Sequence, residues 1–199
     1  MATKYLDLTF TDAVCRAQTE YYRRAGKVVG APERDPLNQA EAEFIAARDS
    51  FYLGSISESG WPYIQHRGGP QGFLRVIDER TLAFADYKGN RQLLTTGNVS
   101  VNDRVALFLM DYKNRERLKI LGHARVEDAR AHPELIAQVT DAKLRSSVER
   151  LVFIDVVSFD WNCPKYITPR YSAEEVDELV GPLKTRIAEI EAQLHTVKS

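Results

Sequence analysis

The N-terminal part of the chain carries apolar positions at the three-to-four-residue spacing of helices. One helix is predicted to begin after Thr11, a capping residue, and to end near Gly26. A second is predicted to begin after Asn38, because Glu41 three residues later completes a capping box. We therefore expect residues 1–49 to form an N-terminal helical segment.

From Phe51 the pattern changes to short, β-rich runs separated by turn residues, which is typical of strands and hairpins. The predicted strands span residues 51–57, 61–67, 73–77, 81–85, 104–111, 118–127 and 150–159. Short helices are predicted near residues 92–96 and 133–145. Six or seven antiparallel strands at this spacing favour a closed barrel with peripheral helices, because closure removes the sheet edges that would pair with other chains.

The C-terminal tail is predicted to be an amphipathic helix from Ala173 to Leu194. The adjacent Gly181 and Pro182 interrupt its pattern, so we expect two helical pieces or a kink. A stripe of this kind packs most often against its own barrel or a second copy of the chain. Its apolar residues are Val176, Leu179, Val180, Leu183, Ile187, Ile190 and Leu194.

The composition narrows the class of protein. The chain has 199 residues, of which 44% are hydrophobic and 28% charged, a profile typical of a soluble globular domain. A net charge of -1 argues against a dedicated nucleic-acid-binding protein. Cys15 and Cys163 are too few for a disulfide scaffold or a thiolate metal cluster, so we expect an ordinary thiol at Cys163 and a cytoplasmic location. No signal or membrane-spanning pattern is present, and no membrane partner is expected.

The usual catalytic templates are absent, and the four histidines lack metal-ligand spacing, so no metal site is expected. Three basic stretches lie instead at predicted strand ends, at residues 65–70, 86–92 and 115–119. In the second, Arg91 and the Asn90 amide precede a helix start, whose backbone N–H groups favour a phosphate. In the third, strand alternation places Arg117 and Lys119 on one face.

The order of motifs is more specific than any one of them. Between Phe51 and Val126 the chain has a hairpin from Leu53 to Gly60-Trp61-Pro62, a strand that leads to Gly-Asn-Arg at 89–91, Asn-Asp-Arg-Val-Ala-Leu at 102–107 and Arg-Leu-Lys-Ile-Leu-Gly at 117–122. This order resembles the flavin-binding split-barrel family typified by pyridoxamine 5′-phosphate oxidase. The closest likeness is to poorly characterised members that share the Arg-Gly-Gly-Pro-x-Gly-Phe and Cys-Pro-x-x-Ile-Thr-Pro-Arg signatures at 67–73 and 163–170.

The resemblance implies a mostly β (α+β) fold, a six- to seven-stranded antiparallel split β-barrel at residues 50–170 with peripheral helices and a helical tail at 171–199. It implies a homodimer with FMN bound without a covalent link at the subunit interface. The FMN site implied by motif position comprises His66, Arg67, Gly68, Gly69, Asp86, Tyr87, Asn90, Arg91, Gln92, Arg117, Trp161 and Arg170.

The same resemblance implies a role for each part of that site. Residues 67–69 line the isoalloxazine, and His66 is the first proton-donor candidate beside it. Asp86 and Tyr87 flank the ribityl chain, and residues 90–92 hold the phosphate. Arg117 reaches the pyrimidine edge, where a cation stabilises the reduced flavin. Trp161 and Arg170 come from the second subunit.

The implied function is two-electron redox chemistry on an unidentified small molecule or electron donor, with no general base assigned. The alternatives are a non-catalytic flavin-binding or stress-related carrier, and a split barrel that holds haem or another cofactor, disfavoured by the lack of a well-placed axial histidine other than His66 or His123. Oxidation of the vitamin itself is not expected. The vitamin-specific oxidases end in Arg-Leu-His-x-Arg, whereas residues 162–170 here read Asn-Cys-Pro-Lys-Tyr-Ile-Thr-Pro-Arg.

Overall fold

A computed structural model describes residues 3–89, 91–161 and 164–198. The chain divides into two compact units, one of Met1–Met110 with Arg117–Cys163 and the other of Asp111–Glu116 with Pro164–Ser199. Among the described residues, no helix is both long enough and apolar enough to cross a membrane.

The N-terminal segment contains three helices where two were predicted. The Thr11 cap is confirmed, but that helix ends at Tyr22 because Arg23 adopts a left-handed backbone with φ of 60°. The Asn38 capping box is also confirmed, with both reciprocal hydrogen bonds present. The additional helix comes first, and the three are α1 (Thr3–Thr9), α2 (Asp12–Tyr22) and α3 (Gln39–Ala46).

The centre of the chain forms the predicted seven strands. They make one sheet in the order β2-β1-β5-β6-β7-β4-β3, and β3 is shorter than expected. The strands are β1 (Ser50–Ile56), β2 (Pro62–Gly68), β3 (Arg75–Val76), β4 (Thr81–Tyr87), β5 (Arg104–Asp111), β6 (Glu116–Asp128) and β7 (Val148–Trp161). Two helices lie between them, α4 (Leu94–Val101) and α5 (Pro133–Val139). The helix predicted to reach residue 145 therefore ends earlier, and a 3₁₀ turn covers residues 142–147.

The sheet curls back on itself. Phe51 on β1 and Phe84 on β4 have ring centroids 5.4 Å apart, although β5, β6 and β7 lie between these two strands in the sheet. In a flat sheet four strand steps would separate them by about 19 Å. This contact requires closure around a common core, so the split-barrel prediction is confirmed.

Alternating positions along the strands fill that core. On β1, for example, Phe51 and Leu53 are fully buried, whereas the intervening Tyr52 is 39% exposed. β4 departs from alternation because both of its faces are covered. Its Ala83 and Ala85 pack in a second apolar cluster with Val139 of α5.

The second unit contains the tail helix α6 (Ala173–Lys198). It is one continuous helix, so of the two expected outcomes, two helical pieces or a kink, the first is wrong. Pro182 has no backbone N–H to donate to the carbonyl of Glu178, and the Thr185 hydroxyl donates to the carbonyl of Gly181 at 3.2 Å. A capping box between Ser172 and Glu175 fixes the start of the helix.

Candidate functional site

Closure of the barrel brings together two strand ends that the sequence had separated. Arg67 on β2 donates from Nη1 to Oδ1 of Asp86 on β4 at 2.8 Å. Arg150 on β7, which faces Asp86 in the strand register, donates from Nε to the other carboxylate oxygen at 2.9 Å. We call these three residues the buried charge cluster, because their side chains are only 6% (Asp86), 11% (Arg67) and 17% (Arg150) exposed.

The buried charge cluster has more positive than negative charge. Two guanidinium groups share the Asp86 carboxylate, and among the described residues Arg150 has a further acidic partner, Glu149 at 3.2 Å. The Nε atom of Arg67 is buried and has no hydrogen-bond partner among the described residues. Because charges interact strongly where water is excluded, the two guanidinium groups of the cluster favour a nearby anion.

An open cleft of about 460 Å³ adjoins the cluster, and Arg150 belongs to both. At its rim, Arg130 donates to Asp128 at 2.6 Å. Hydrogen bonds from the Arg130 side chain, and next from its backbone N–H, lower the pKa of Asp128 to about 2, so this carboxylate stays ionised at neutral pH. The cleft is lined by Thr96, Val126, Glu127, Asp128, Arg130, Val148, Glu149 and Arg150.

The start of α4 reaches the same cleft through Thr96. The preceding Leu93 has a left-handed backbone and supplies no side-chain cap to the first-turn N–H groups. Arg91 and Gln92, which come directly before it, are both exposed. The Thr95 hydroxyl donates to the side-chain oxygen of Gln65 on β2 at 2.9 Å, which fixes the helix start against the barrel. Such an uncapped helix start with a neighbouring arginine suits a phosphate. Asn90, predicted to belong here, lies outside the described residues.

The other predicted residues around β2 and β4 have different surroundings. His66 is exposed and packs edge-on against Tyr52 at 5.6 Å, on the opposite face of β2 from Arg67. The Gly69 N–H donates to the Asp49 carbonyl at 2.9 Å, whereas Gly68 is exposed at the end of β2. The Tyr87 hydroxyl is hydrogen-bonded to Thr140 at 2.8 Å. Thus the Gly69 amide is already engaged within the chain.

The remaining predicted residues each have their own surroundings. Arg117 lies half-buried near the start of β6. Trp161, at the end of β7, donates from Nε1 to Oε1 of Glu41 at 2.6 Å, a pairing that the sequence did not indicate. Arg170 belongs to the second unit, with its guanidinium 4.9 Å from the ring centroid of Tyr112. Cys163 lies outside the described residues.

A second, apolar cleft of about 440 Å³ lies on the outer face of β1, β2, β5 and β6. Outward positions of neighbouring strands meet there, as in the Tyr52–Phe108 pair of β1 and β5. Ile64 within it is 69% exposed. The lining residues are Tyr5, Tyr52, Gly54, Ile64, Ala106, Leu107, Phe108, Lys119, Ile120 and Leu121.

Comparison with known protein families identifies the barrel. A family model described as pyridoxamine 5′-phosphate oxidase matches residues 37–154, more than half of the chain. The chain belongs to the pyridoxamine 5′-phosphate oxidase family. The matched segment contains the whole buried charge cluster, whereas Trp161, Arg170 and α6 lie beyond it. No curated protein matches the chain.

Solved structures that are similar to this chain are found at low sequence identity. A pyridoxamine 5′-phosphate oxidase-related, FMN-binding protein from Nostoc punctiforme is 12% identical, with a TM-score of 0.47, over 64% of this chain and 83% of that one. HupZ from Group A Streptococcus is 11% identical, with a TM-score of 0.48, over 68% and 100% of the two chains. An FMN-binding protein from Syntrophomonas wolfei is 11% identical, with a TM-score of 0.44, over 61% and 83%.

The buried charge cluster of this pyridoxamine 5′-phosphate oxidase family member places two arginines around one aspartate. Among the residues that the structure describes, no group of three or more His, Cys, Asp or Glu side chains could hold a metal ion. Arg150 is the residue that sequence analysis missed. In the sequence, Arg150 is recognisable only as a basic residue in the last predicted strand. The strand register that places it opposite Asp86 is set by the tertiary structure.

Proposed function

We propose that this chain is an FMN-binding flavoprotein that transfers two electrons to or from a small molecule, as a homodimer with FMN at the subunit interface. The observation that carries the proposal is the position of the buried charge cluster. Arg150 of the cluster lines an open cleft, and Asp86 of the cluster lies near the end of β4, where the predicted phosphate-binding stretch begins. Membership of the pyridoxamine 5′-phosphate oxidase family supports the same cofactor.

The start of α4 fits the phosphate of FMN. Its first-turn N–H groups lack a side-chain cap, and Arg91 and Gln92 are exposed next to them. A doubly charged phosphate would accept hydrogen bonds from these N–H groups and from the arginine fork. The cleft of about 460 Å³ falls within the usual size range of cofactor sites.

FMN, when bound, supplies two-electron chemistry at its N5 atom. The role of the protein is then to bind, orient and adjust local charge. Asp86 holds Arg67 and Arg150 in fixed directions through both carboxylate oxygens, so their positive charge is preorganised rather than mobile. In this proposal Arg117 favours negative charge on the reduced ring, and Trp161 and Arg170 serve the site of the opposite subunit.

The apolar cleft on the outer face of the barrel supports the homodimer. Exposed apolar surface of this kind, rimmed by polar groups, marks protein interfaces. Ile64 lies in it at 69% exposure, between the neighbouring strand positions that carry Tyr52 and Phe108. We expect Ile64→Asp to weaken association between barrels by at least about tenfold, because it would bury a charge without a partner. Sedimentation analysis measures that change.

FMN binding tests the proposal directly. Purified protein should be yellow, or become so with excess FMN. We expect Arg91→Ala to raise the Kd for FMN about 10- to 150-fold, as for loss of a charge-assisted contact of about 1.5–3 kcal/mol. Arg80→Ala is the matched control, since Arg80 is an exposed arginine whose side chain pairs with its neighbour Glu79. A colourless protein that gains no flavin absorbance with excess FMN would refute the proposal. If Arg91→Ala and Arg80→Ala change the Kd for FMN equally, the phosphate is not bound at Arg91.

A flavin carrier without catalytic activity is the second candidate. The described residues lining the cleft include carboxylates, arginines and a threonine, but no histidine, cysteine or tyrosine to pass a proton. Rapid bleaching of bound FMN by reduced nicotinamide or reduced deazaflavin supports the oxidoreductase. Tight binding with slow bleaching by both donors supports the carrier.

A further inference from the structure

The tail helix α6 has an apolar stripe that the FMN site does not explain. The helix has 26 residues, or about 39 Å at 1.5 Å per residue, and lies outside the segment matched by the family model. We call its apolar stripe the α6 seam, which comprises Val176, Val180, Leu183, Ile187 and Ile190. All of these are 41–62% exposed except Val180, which is half-buried.

An exposed seam of this length requires a cover. Every described side chain between Pro182 and Gln193 is exposed. Isolated helices are only marginally stable in water, because most helical stability in proteins comes from packing an apolar face. A row of exposed valine, leucine and isoleucine therefore indicates a surface that is buried in the functional state.

The spacing of the seam selects a second helix as the cover. Its residues are separated alternately by four and three positions, and the sequence continues this repeat at residues 194 and 197. A strict period of 3.5 keeps one stripe facing a partner helix along a left-handed supercoil. In this heptad, Val180 and Ile187 occupy position a, with Leu183 at d. Gly181 and Pro182 fall at b and c, so both helix-weakening residues lie away from the seam.

The charges that flank the seam complement a second copy of the same helix. In a parallel pair, Arg186 at position g faces Glu191 at position e of the second copy. In an antiparallel pair with full overlap, residue 184 lies level with residue 187 of the second copy, so Lys184 and Glu191 do not face each other. Among the described residues, Arg186 pairs with Glu189 of its own helix at 2.9 Å. The flanking charges therefore complement a second copy in the parallel orientation.

We propose that α6 forms a two-stranded coiled coil with α6 of a second copy of this chain. The α6 seam shares no residue with the proposed flavin site or with the apolar cleft that contains Ile64. It uses Val and Ile at position a and Leu at the central d position, a combination that favours two strands.

Cysteine cross-linking of the full chain tests this proposal. In a Cys15→Ser/Cys163→Ser background, Leu183→Cys/Ile187→Cys places both thiols on the seam, where either helix orientation brings facing Cα atoms within disulfide range. The control, Thr185→Cys/Ala188→Cys, places them off the seam. We expect the seam variant to form at least about five times more covalent dimer under mild oxidation. Mapping of the linked peptides distinguishes 183–183 and 187–187 links of a parallel pair from the 183–187 link of an antiparallel pair.

Equal or negligible cross-linking of the two variants would overturn the coiled coil and would indicate that the seam is covered by its own chain or by a different protein. A second pair of variants makes the test independent of cysteine chemistry. In an Ile64→Asp background, which weakens association between barrels, Ile187→Lys should raise the concentration at which the remaining dimers dissociate at least about tenfold, and Ala188→Lys should change it less than about twofold. FMN titration of the same samples separates this outcome from failure of the flavin proposal, because α6 contributes nothing to FMN binding in this scheme.

Discussion

Asp86 and Asp128 form the same kind of ion pair in two different environments. Each carboxylate accepts a hydrogen bond from arginine, at 2.8 Å from Arg67 and 2.6 Å from Arg130 respectively. The Asp86 side chain is 6% exposed, whereas that of Asp128 is 46% exposed. Loss of Asp86 would remove the described carboxylate partner of Arg67 and leave Arg150 with Glu149 in a site that largely excludes water, whereas water would replace Asp128 as the partner of Arg130. Burial, rather than the presence of an ion pair, therefore decides what each aspartate contributes.

The largest expected effect is that of Asp86→Asn. The asparagine keeps the size of the side chain but removes the charge that balances Arg67 and Arg150. We expect the free energy of unfolding to fall by about 3–5 kcal/mol, the usual cost of breaking a buried ion pair by removing one partner. Urea unfolding monitored by circular dichroism measures this change.

A second substitution separates charge imbalance from lost packing. If the uncompensated arginines cause the loss, Asp86→Asn/Arg67→Met should recover part of the stability, because one of the stranded charges is then removed. Equal stability of Asp86→Asn and the unaltered protein would contradict the assignment of Asp86 as the buried counter-ion of the two arginines.

An intermediate effect is expected at Trp161, which serves another buried carboxylate. Glu41 is 3% exposed and accepts the Nε1–H of Trp161 at 2.6 Å. Trp161→Phe keeps a ring that can pack near Phe44 but removes this donor, so we expect a loss of about 1–3 kcal/mol in the free energy of unfolding. The chain supplies its own control in Trp61, which is 75% exposed. Trp61→Phe should leave the unfolding midpoint unchanged, and equal losses in the two variants would argue against the Glu41 contact.

The smallest effect is expected at Asp128 and depends on pH. Hydrogen bonds from Arg130 lower the pKa of Asp128 from 3.8 to about 2 in the folded chain. A lowered folded pKa stabilises the protein above pH 3.8, and this contribution disappears as pH falls through 2. Asp128→Asn should therefore differ from the unaltered protein by a small, constant amount between about pH 5 and 7. Thermal unfolding across pH 2–7 tests this, and a difference that grows towards low pH would contradict it.

Local patterns were enough to predict most elements of the fold. β5 spans residues 104–111 as expected, because its apolar run is bounded by the polar turns at Asn102-Asp103 and Lys113-Asn114. The capping box at Asn38 and Glu41 was also predictable, since its two partners are three residues apart. α1 was missed because it is short and has no acidic residue in its first turn to mark its start.

The candidate site was only partly predictable, because its side chains come from distant parts of the sequence. Arg67 and Asp86 were identified from their motifs, but each was expected to contact the cofactor and not the other. Arg150 pairs with Asp86 from 64 positions away, and Trp161 with Glu41 from 120 positions away. Pairings at such separations depend on strand register and barrel closure, which no local window contains.

By itself, the sequence determined the period-two strands, the helix caps, the order of family motifs and the apolar heptad of the tail, because each depends on neighbours within a few residues. Only the tertiary structure decided which charges are buried. The sheet closes so that β2 and β4, the first and sixth strands in its order, meet at Arg67 and Asp86. Exclusion of water by that closure turns two ordinary motif residues and Arg150 into a fixed, positively charged cluster beside an open cleft.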